Sequence, residues 1–339
     1  MKLDTTLLGR DLSKVSAAAR GAEGAGFDAA WTLEAGNDPF FPLVLVAEHT
    51  KRMYMGTAIA VAFPRSPMVT AQMAWQLAGL SKGRFILGLG TQVKGHNERR
   101  YSVKWEAPVA RLREYVAALR AIFKCWSEGG KHLSYGGKYY NFSLMTPFFT
   151  PTRHEFSAIP IYIAGVNELV CRTAGEICEG LHAHPFNSPR YLREVVVPAV
   201  EAGLARSGRA RSDFTIASAP FIAVGSTRDE VQRMREEFRQ QIAFYASTRT
   251  YRVVLDAHGW GSVADRLNAR AAKGDWIGMA HEISDEMLDA YSVGGTWDEI
   301  YDKVTERYSG LLDRVAFYAP YTAGADDANW QKLARRFNG

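Results

Sequence analysis

Short runs rich in β-branched and apolar residues alternate with longer amphipathic stretches along nearly the whole chain, and this alternation restricts the fold more than any other feature. A strand, a helix and a second strand in succession give parallel pairing, because the return path needs a crossover. Strand candidates lie at residues 3–8, 28–34, 53–60, 84–90, 159–165, 180–186, 214–224 and 314–320. Helical patterns cover 13–26, with Ser13 as candidate N-cap and Gly26 near the C-terminal end, then 40–50 and 67–80. Eight strands of this kind close into a (β/α)8 TIM barrel with no free edge, and 339 residues suffice for one. An open doubly wound sheet is the rival. Its G-x-G-x-x-G turn is missing after the first strand, and Gly88-Leu89-Gly90 lacks the third glycine.

Two connections exceed ordinary lengths. Residues 91–158 follow the fourth strand and carry a helical pattern at 107–124, with Val109, Leu112, Val116, Leu119 and Phe123 at helical spacing. An aromatic, glycine-rich stretch from Tyr135 to Phe142 comes next. Residues 226–312 follow the seventh strand and hold helical patterns at 228–245, 261–272, 284–291 and 296–309. Segments that leave a strand emerge at the C-terminal face of a barrel, where enzymes of this fold keep their active sites. No linker or repeat divides the chain, so residues 1–339 read as a single domain with helical insertions after strands four and seven.

Lys plus Arg exceed Asp plus Glu by 41 − 36 = 5, a mild surplus without the concentrated basic face of a nucleic-acid binder. The short run Arg206–Arg211 reads as a solvated loop, and no nucleic-acid partner is expected. Cys125, Cys171 and Cys178 form no CxxC pair. Cys171 and Cys178, seven apart, would share a helix face as buried small hydrophobes. The charges at Lys2, Asp4, Arg10 and Asp11 leave no signal-peptide core, and no apolar run reaches the roughly 18 residues of a membrane span. These features describe a soluble, cytoplasmic protein with no membrane partner.

Catalytic groups in such a barrel come from the C-terminal ends of its strands. The second strand ends at Glu34, the third runs through Thr57, Ala58 and Ile59, and the fourth ends at Gly90, Thr91 and Gln92. The fifth ends at Ala164, Gly165 and Val166, and the sixth leads from His182 and His184 to Asn187. Glu34 is either a structural acid paired with an arginine, or a proton donor, or a partner for a heterocycle N–H. His182 and His184 point the same way on a strand, which raises a metal site. No other barrel strand carries histidine, so no metal is expected; His184, nearer the mouth, faces a cofactor and His182 is a satisfied interior group. No GxSxG elbow and no Walker loop occur. Small residues at Ala58, Gly90, Thr91, Ala164 and Gly165 allow close approach of a flat ring, and free N–H groups at the following helix start suit a phosphate.

Thr57-Ala58-Ile59-Ala60, then Arg65–Gln72, Leu80–Thr91, Tyr135–Phe142 and Pro160–Gly165, in that order, resemble the luciferase-like monooxygenase superfamily, and within it the branch that uses the deazaflavin coenzyme F420. The resemblance implies a non-proline cis peptide at Ala58–Ile59 behind the cofactor ring. It implies that Thr91 and Gln92 contact the ring or its ribityl chain, and that Gly165 and Val166 hold the phosphate with help from Asn187. Arg99 and Arg100 are mouth-side cations that would meet the phosphate or an acidic tail, or pair on the surface. Sugar-phosphate dehydrogenases of this group carry a histidine after the strand-two acid and an acid after strand four. This chain has Ala35 and Val93 there, so sugar-phosphate oxidation is not expected.

The activity implied is hydride transfer between coenzyme F420 and an unidentified small organic substrate, with Glu34 as first acid–base candidate and His184 and His96 behind it. An FMN-dependent monooxygenase is the alternative. A barrel metallohydrolase and a non-catalytic flavin-binding protein are further rivals. The resemblance also implies a homodimer.

Overall fold

The computed structural model describes residues 1–339. Eight parallel strands form the barrel: Lys2–Thr6, Ala29–Thr32, Tyr54–Thr57 (resuming as Ala60–Val61), Phe85–Gly90, Ile161–Gly165, Gly180–Ala183, Thr215–Ser218 and Arg314–Ala316. Their spatial order runs third, second, first, eighth, seventh, sixth, fifth, fourth, and the fourth pairs back onto the third. Closure leaves no edge strand, as expected for a TIM barrel.

The third strand is interrupted by an extra residue. Gly56 pairs with Ile86, yet the next pairing is Ala60 with Leu89, four residues on one side against three on the other. This is a bulge. Thr57 spans the gap: its hydroxyl donates to the Gly88 carbonyl at 2.6 Å and accepts the Gly88 N–H at 3.0 Å. A Cβ on Gly88 would lie 1.8 Å from the Thr57 carbonyl oxygen, so only glycine fits there.

Apolar residues sort by strand parity into two cores. Leu3, Met55, Leu87, Ile163, Leu181 and Val315 face the surrounding helices in the large cluster. Ala29, Trp31, Ile86 and Tyr162 fill the lumen in a small one. At the lumen's base Asp4, 1% exposed, accepts hydrogen bonds from Trp31 Nε1 at 2.8 Å and from Arg314 Nε and Nη2 at 2.8 and 2.7 Å. The buried charge is thereby paired on both oxygens. Above this layer His182 stands edge-on to Trp31, with ring centroids 4.8 Å apart, and tilts against Tyr162.

Several expectations change in detail. The 214–224 strand breaks at Ala219-Pro220, where proline offers no N–H to a ladder. Thr215–Ser218 stays in the barrel, while Phe221–Gly225 pairs in parallel with Ser292–Thr296 outside it. That last strand, with two central glycines, falls between the helical patterns at 284–291 and 296–309. Asp11, not Ser13, caps the first helix by accepting the Ser13 N–H, and Gly26 closes it in a left-handed conformation (φ 95°). The Glu168–Ile177 helix stops before Cys178, so Cys171 and Cys178 share no helix face although both are fully buried. The arginine run is more than a solvated loop: Arg209 donates to the Cys178 and Gly175 carbonyls, and Arg211 to the Phe214 carbonyl and Asp313.

His182, expected to be satisfied, has a buried Nε2 with no hydrogen-bond partner. Burial, with Arg314 nearby, pulls its pKa from 6.5 down to about 3. The unfolded chain therefore takes up a proton near pH 6.5 that the folded chain refuses, so stability is complete above that pH and declines toward pH 3. Denaturant unfolding across this range should show the decline in the native protein and a shallower one in His182→Leu. Equal slopes would refute the assignment.

Candidate active site at the C-terminal end of the barrel

Above His182 the inward positions of strands three, four and five are Ala58, Gly90 and Ala164. None carries more than a methyl group. Ala58, Ile59 and Ala164 remain partly exposed, while Gly90 is buried beneath Ile59. The Ala58–Ile59 peptide is cis, as the resemblance implied. Ala58 N–H donates to Thr32 at 2.6 Å, and the Ile59 carbonyl accepts from Glu34 N–H at 3.2 Å. A Cβ on Gly90 would meet Ile59 Cδ1 at 2.6 Å, so Ile59 leans over the fourth strand because that strand ends in glycine.

Glu34 stands on the strand-two side with every oxygen engaged. Oε2 accepts the Val61 N–H and Arg65 Nη1, each at 2.7 Å, and Oε1 accepts the Tyr101 hydroxyl at 2.9 Å. Arg65 also binds Asp38 at 2.6 Å. The arginine partnership, one of the alternatives open from sequence, is present, and Glu34 thereby ties the bulged strand to the mouth. Tyr101 was not singled out in the sequence; burial and the Glu34 carboxylate push its phenol pKa up. Arg100 donates to the Ala35 carbonyl on this same side, and Arg99 is exposed.

After strand four, Gln92 adopts a left-handed conformation (φ 57°), and its side-chain oxygen accepts the Val93 N–H at 3.0 Å. The Thr91 hydroxyl donates to the Gln92 carbonyl. Asn97, also missed, is fully buried and holds this turn by donating to the Thr91 and Val93 carbonyls. A lone asparagine inside a short helical run gives no signal in sequence. His96, a reserve candidate, is exposed on this helix.

After strand five, the Val166 and Asn167 N–H groups donate to nothing in the chain. Asn167 caps the Glu168–Ile177 helix through Oδ1. Tyr191 donates to the Val166 carbonyl at 2.9 Å. A cavity of about 700 Å³ lined by Asn167, Glu168, Arg172, Tyr191 and Val253 opens against this helix start. Asn187 is nearly buried and donates to the His184 carbonyl at 2.6 Å and Ser218 Oγ at 3.0 Å, while its Oδ1 has no partner.

Strand six lies opposite strand two in the barrel order, so Glu34 and His184 face each other across the mouth. His184 Nδ1 accepts the Phe186 N–H at 3.0 Å, which leaves the proton of the neutral ring on Nε2. Desolvation depresses its pKa and keeps it neutral. Tyr245 and Tyr251, from the second insertion, pack on this imidazole at 4.7 and 4.5 Å between centroids. No three His, Cys, Asp or Glu side chains converge as metal ligands, and no helix is long and apolar enough to cross a membrane.

The site thus has a methyl-and-glycine floor, a charged wall on strand two, a neutral aromatic wall by strand six, and free N–H groups at a helix start between them. An uncharacterized protein of Mycobacterium tuberculosis is 45% identical to this chain over 315 residues, covering 93% of this chain and 92% of that protein. A 5,10-methylenetetrahydromethanopterin reductase of Archaeoglobus fulgidus is 29% identical, covering 88% and 87%. The structure of a coenzyme F420-dependent tetrahydromethanopterin reductase from Methanopyrus kandleri has the same fold, with a TM-score of 0.79 at 22% identity over 98% of this chain and 97% of that one. The model of the luciferase-like monooxygenase family matches residues 3–314, and the chain belongs to that family.

Proposed function

We propose that this chain is an oxidoreductase that transfers a hydride between coenzyme F420 and a small organic substrate. The observation that carries this reading is the floor: Ala58 and Ala164 present only methyl groups at neighbouring strand tips, and Ile59 lies over Gly90 between them, a low apolar surface on which a flat ring can rest. The similarity to two reductases, one of them coenzyme F420-dependent, supports the same reading. When bound, F420 supplies a ring carbon able to accept or deliver a hydride.

The chain's own residues divide the remaining work. Val166 and Asn167 N–H groups, with Gly165 beside them, fit a phosphate at a helix start, and the adjoining cavity with Arg172 suits whatever extends beyond it. Asn187 Oδ1, buried and unpartnered, is an acceptor suited to a heterocycle N–H. Thr57 holds the bulge behind the floor, and Thr91 and Gln92 form its strand-four rim. Glu34 orients the Tyr101 hydroxyl, so that pair handles protons on one wall. His184 offers an Nε2–H on the other.

Spectroscopic titration of the cofactor-free protein with F420 and with FMN tests the cofactor. F420 should bind at least about tenfold more tightly, a gap of roughly 1.4 kcal/mol. Ala164→Phe, which raises a ring from the floor, should lose F420 binding with little change in thermal midpoint. Tighter FMN binding, or F420 binding unaffected by Ala164→Phe, would overturn the reading.

We further propose a homodimer built on the Phe41–His49 and Pro67–Leu80 helices. Phe41, Val44, Val69 and Leu80 are exposed there, an apolar face of the kind that a second copy covers. Sedimentation should give a dimer that Val44→Glu dissociates. A native monomer would refute this.

A further inference from the structure

One wall of the mouth is built almost wholly of neutral rings. His184 follows strand six, Tyr318 follows strand eight, and Tyr245 and Tyr251 come from the second insertion. Tyr245 stands edge-on to His184 (85°), Tyr251 tilts against it (46°), and the two tyrosine rings lie 6.5 Å apart. All four residues keep partial exposure. No Lys, Arg, Asp or Glu side chain hydrogen-bonds to any of them, and no guanidinium or ammonium lies over their faces.

The polar edges of these rings form a definite pattern. Tyr318 gives its hydrogen to Gln241 Oε1 at 3.2 Å, so in the 2.9 Å contact between the hydroxyls Tyr245 donates to Tyr318. The Tyr245 oxygen therefore keeps a free acceptor site. Tyr251 O–H and His184 Nε2–H have no acceptor in the chain, which leaves two free donors. We propose that this box is the substrate subsite and that it takes a neutral, planar aromatic or heteroaromatic ring bearing a hydroxyl or carbonyl group. The inference rests on the oxidoreductase reading, which it deepens by naming a substrate class.

Edge-to-face packing supplies the fit for a flat ring; a hydroxyl matches the two donors and the acceptor, and a carbonyl the two donors. Anions are disfavoured. No guanidinium or ammonium lies over these rings, and burial holds the His184 imidazole neutral, so the wall supplies no positive countercharge.

Calorimetric titration of the full-length protein with 2-naphthol and 2-naphthoate at neutral pH tests the subsite. Naphthol should bind at least about tenfold more tightly than naphthoate, and Tyr251→Leu should weaken naphthol about tenfold. Tyr251→Phe, which keeps the ring and loses the donor, should fall between them. F420 affinity, measured on the same samples, should hold within about twofold, because Tyr251 comes from the second insertion and not from the strand tips that form the floor. Equal binding of the two probes, no naphthol binding, or naphthol binding insensitive to both variants would overturn the subsite. Failure of F420 to bind the native protein would sink the cofactor reading while leaving the probe comparison interpretable.

Discussion

Three neighbouring strand tips carry no side chain larger than a methyl group, and the rest of the site follows from that constraint. The bulge brings the Thr57 carbonyl so close to the fourth strand that Gly88 has no room for a Cβ, and Ile59 occupies the space a side chain at position 90 would need. Ala164 completes the row on strand five. The lumen below is filled by Trp31, Tyr162 and His182, so the floor is firm. A barrel packed with branched residues to its rim would have the same strands and no place for a ring.

Around this floor the chemistry is segregated. Strand two contributes a saturated network, in which Glu34 holds Val61, Arg65 and Tyr101 together and ties the bulge to the mouth. Strand six contributes a desolvated imidazole backed by phenols. The two walls face one another because three strands separate them in either direction around the ring. The mouth is thus charged on one side and neutral and aromatic on the other.

The barrel was legible in the sequence because each strand carries its own apolar pattern, and all eight occur where that pattern placed them. The strand ends were not. The expected strands overran the observed ones on the mouth side, reaching residue 34 instead of Thr32, 186 instead of Ala183 and 320 instead of Ala316. Apart from Glu34, those residues are mostly apolar or aromatic because they line the mouth and insertions, and one-dimensional periodicity cannot separate that from burial in a ladder. The Ser292–Thr296 strand was hidden by Gly294 and Gly295, and the 214–224 run looked continuous although Pro220 divides it. The mouth's small residues and the Ala58–Ile59 position were readable. Tyr101, Asn97, Tyr245 and Tyr251 were not, since their roles arise from contacts with residues far away in the chain.

The most direct measurement is a crystal structure of the protein grown with F420. The expected density places the fused rings on Ala58, Ile59 and Gly90, with the phosphate within hydrogen-bond reach of the Val166 and Asn167 N–H groups. Rings bound away from that floor, or a phosphate held elsewhere, would contradict the central claim.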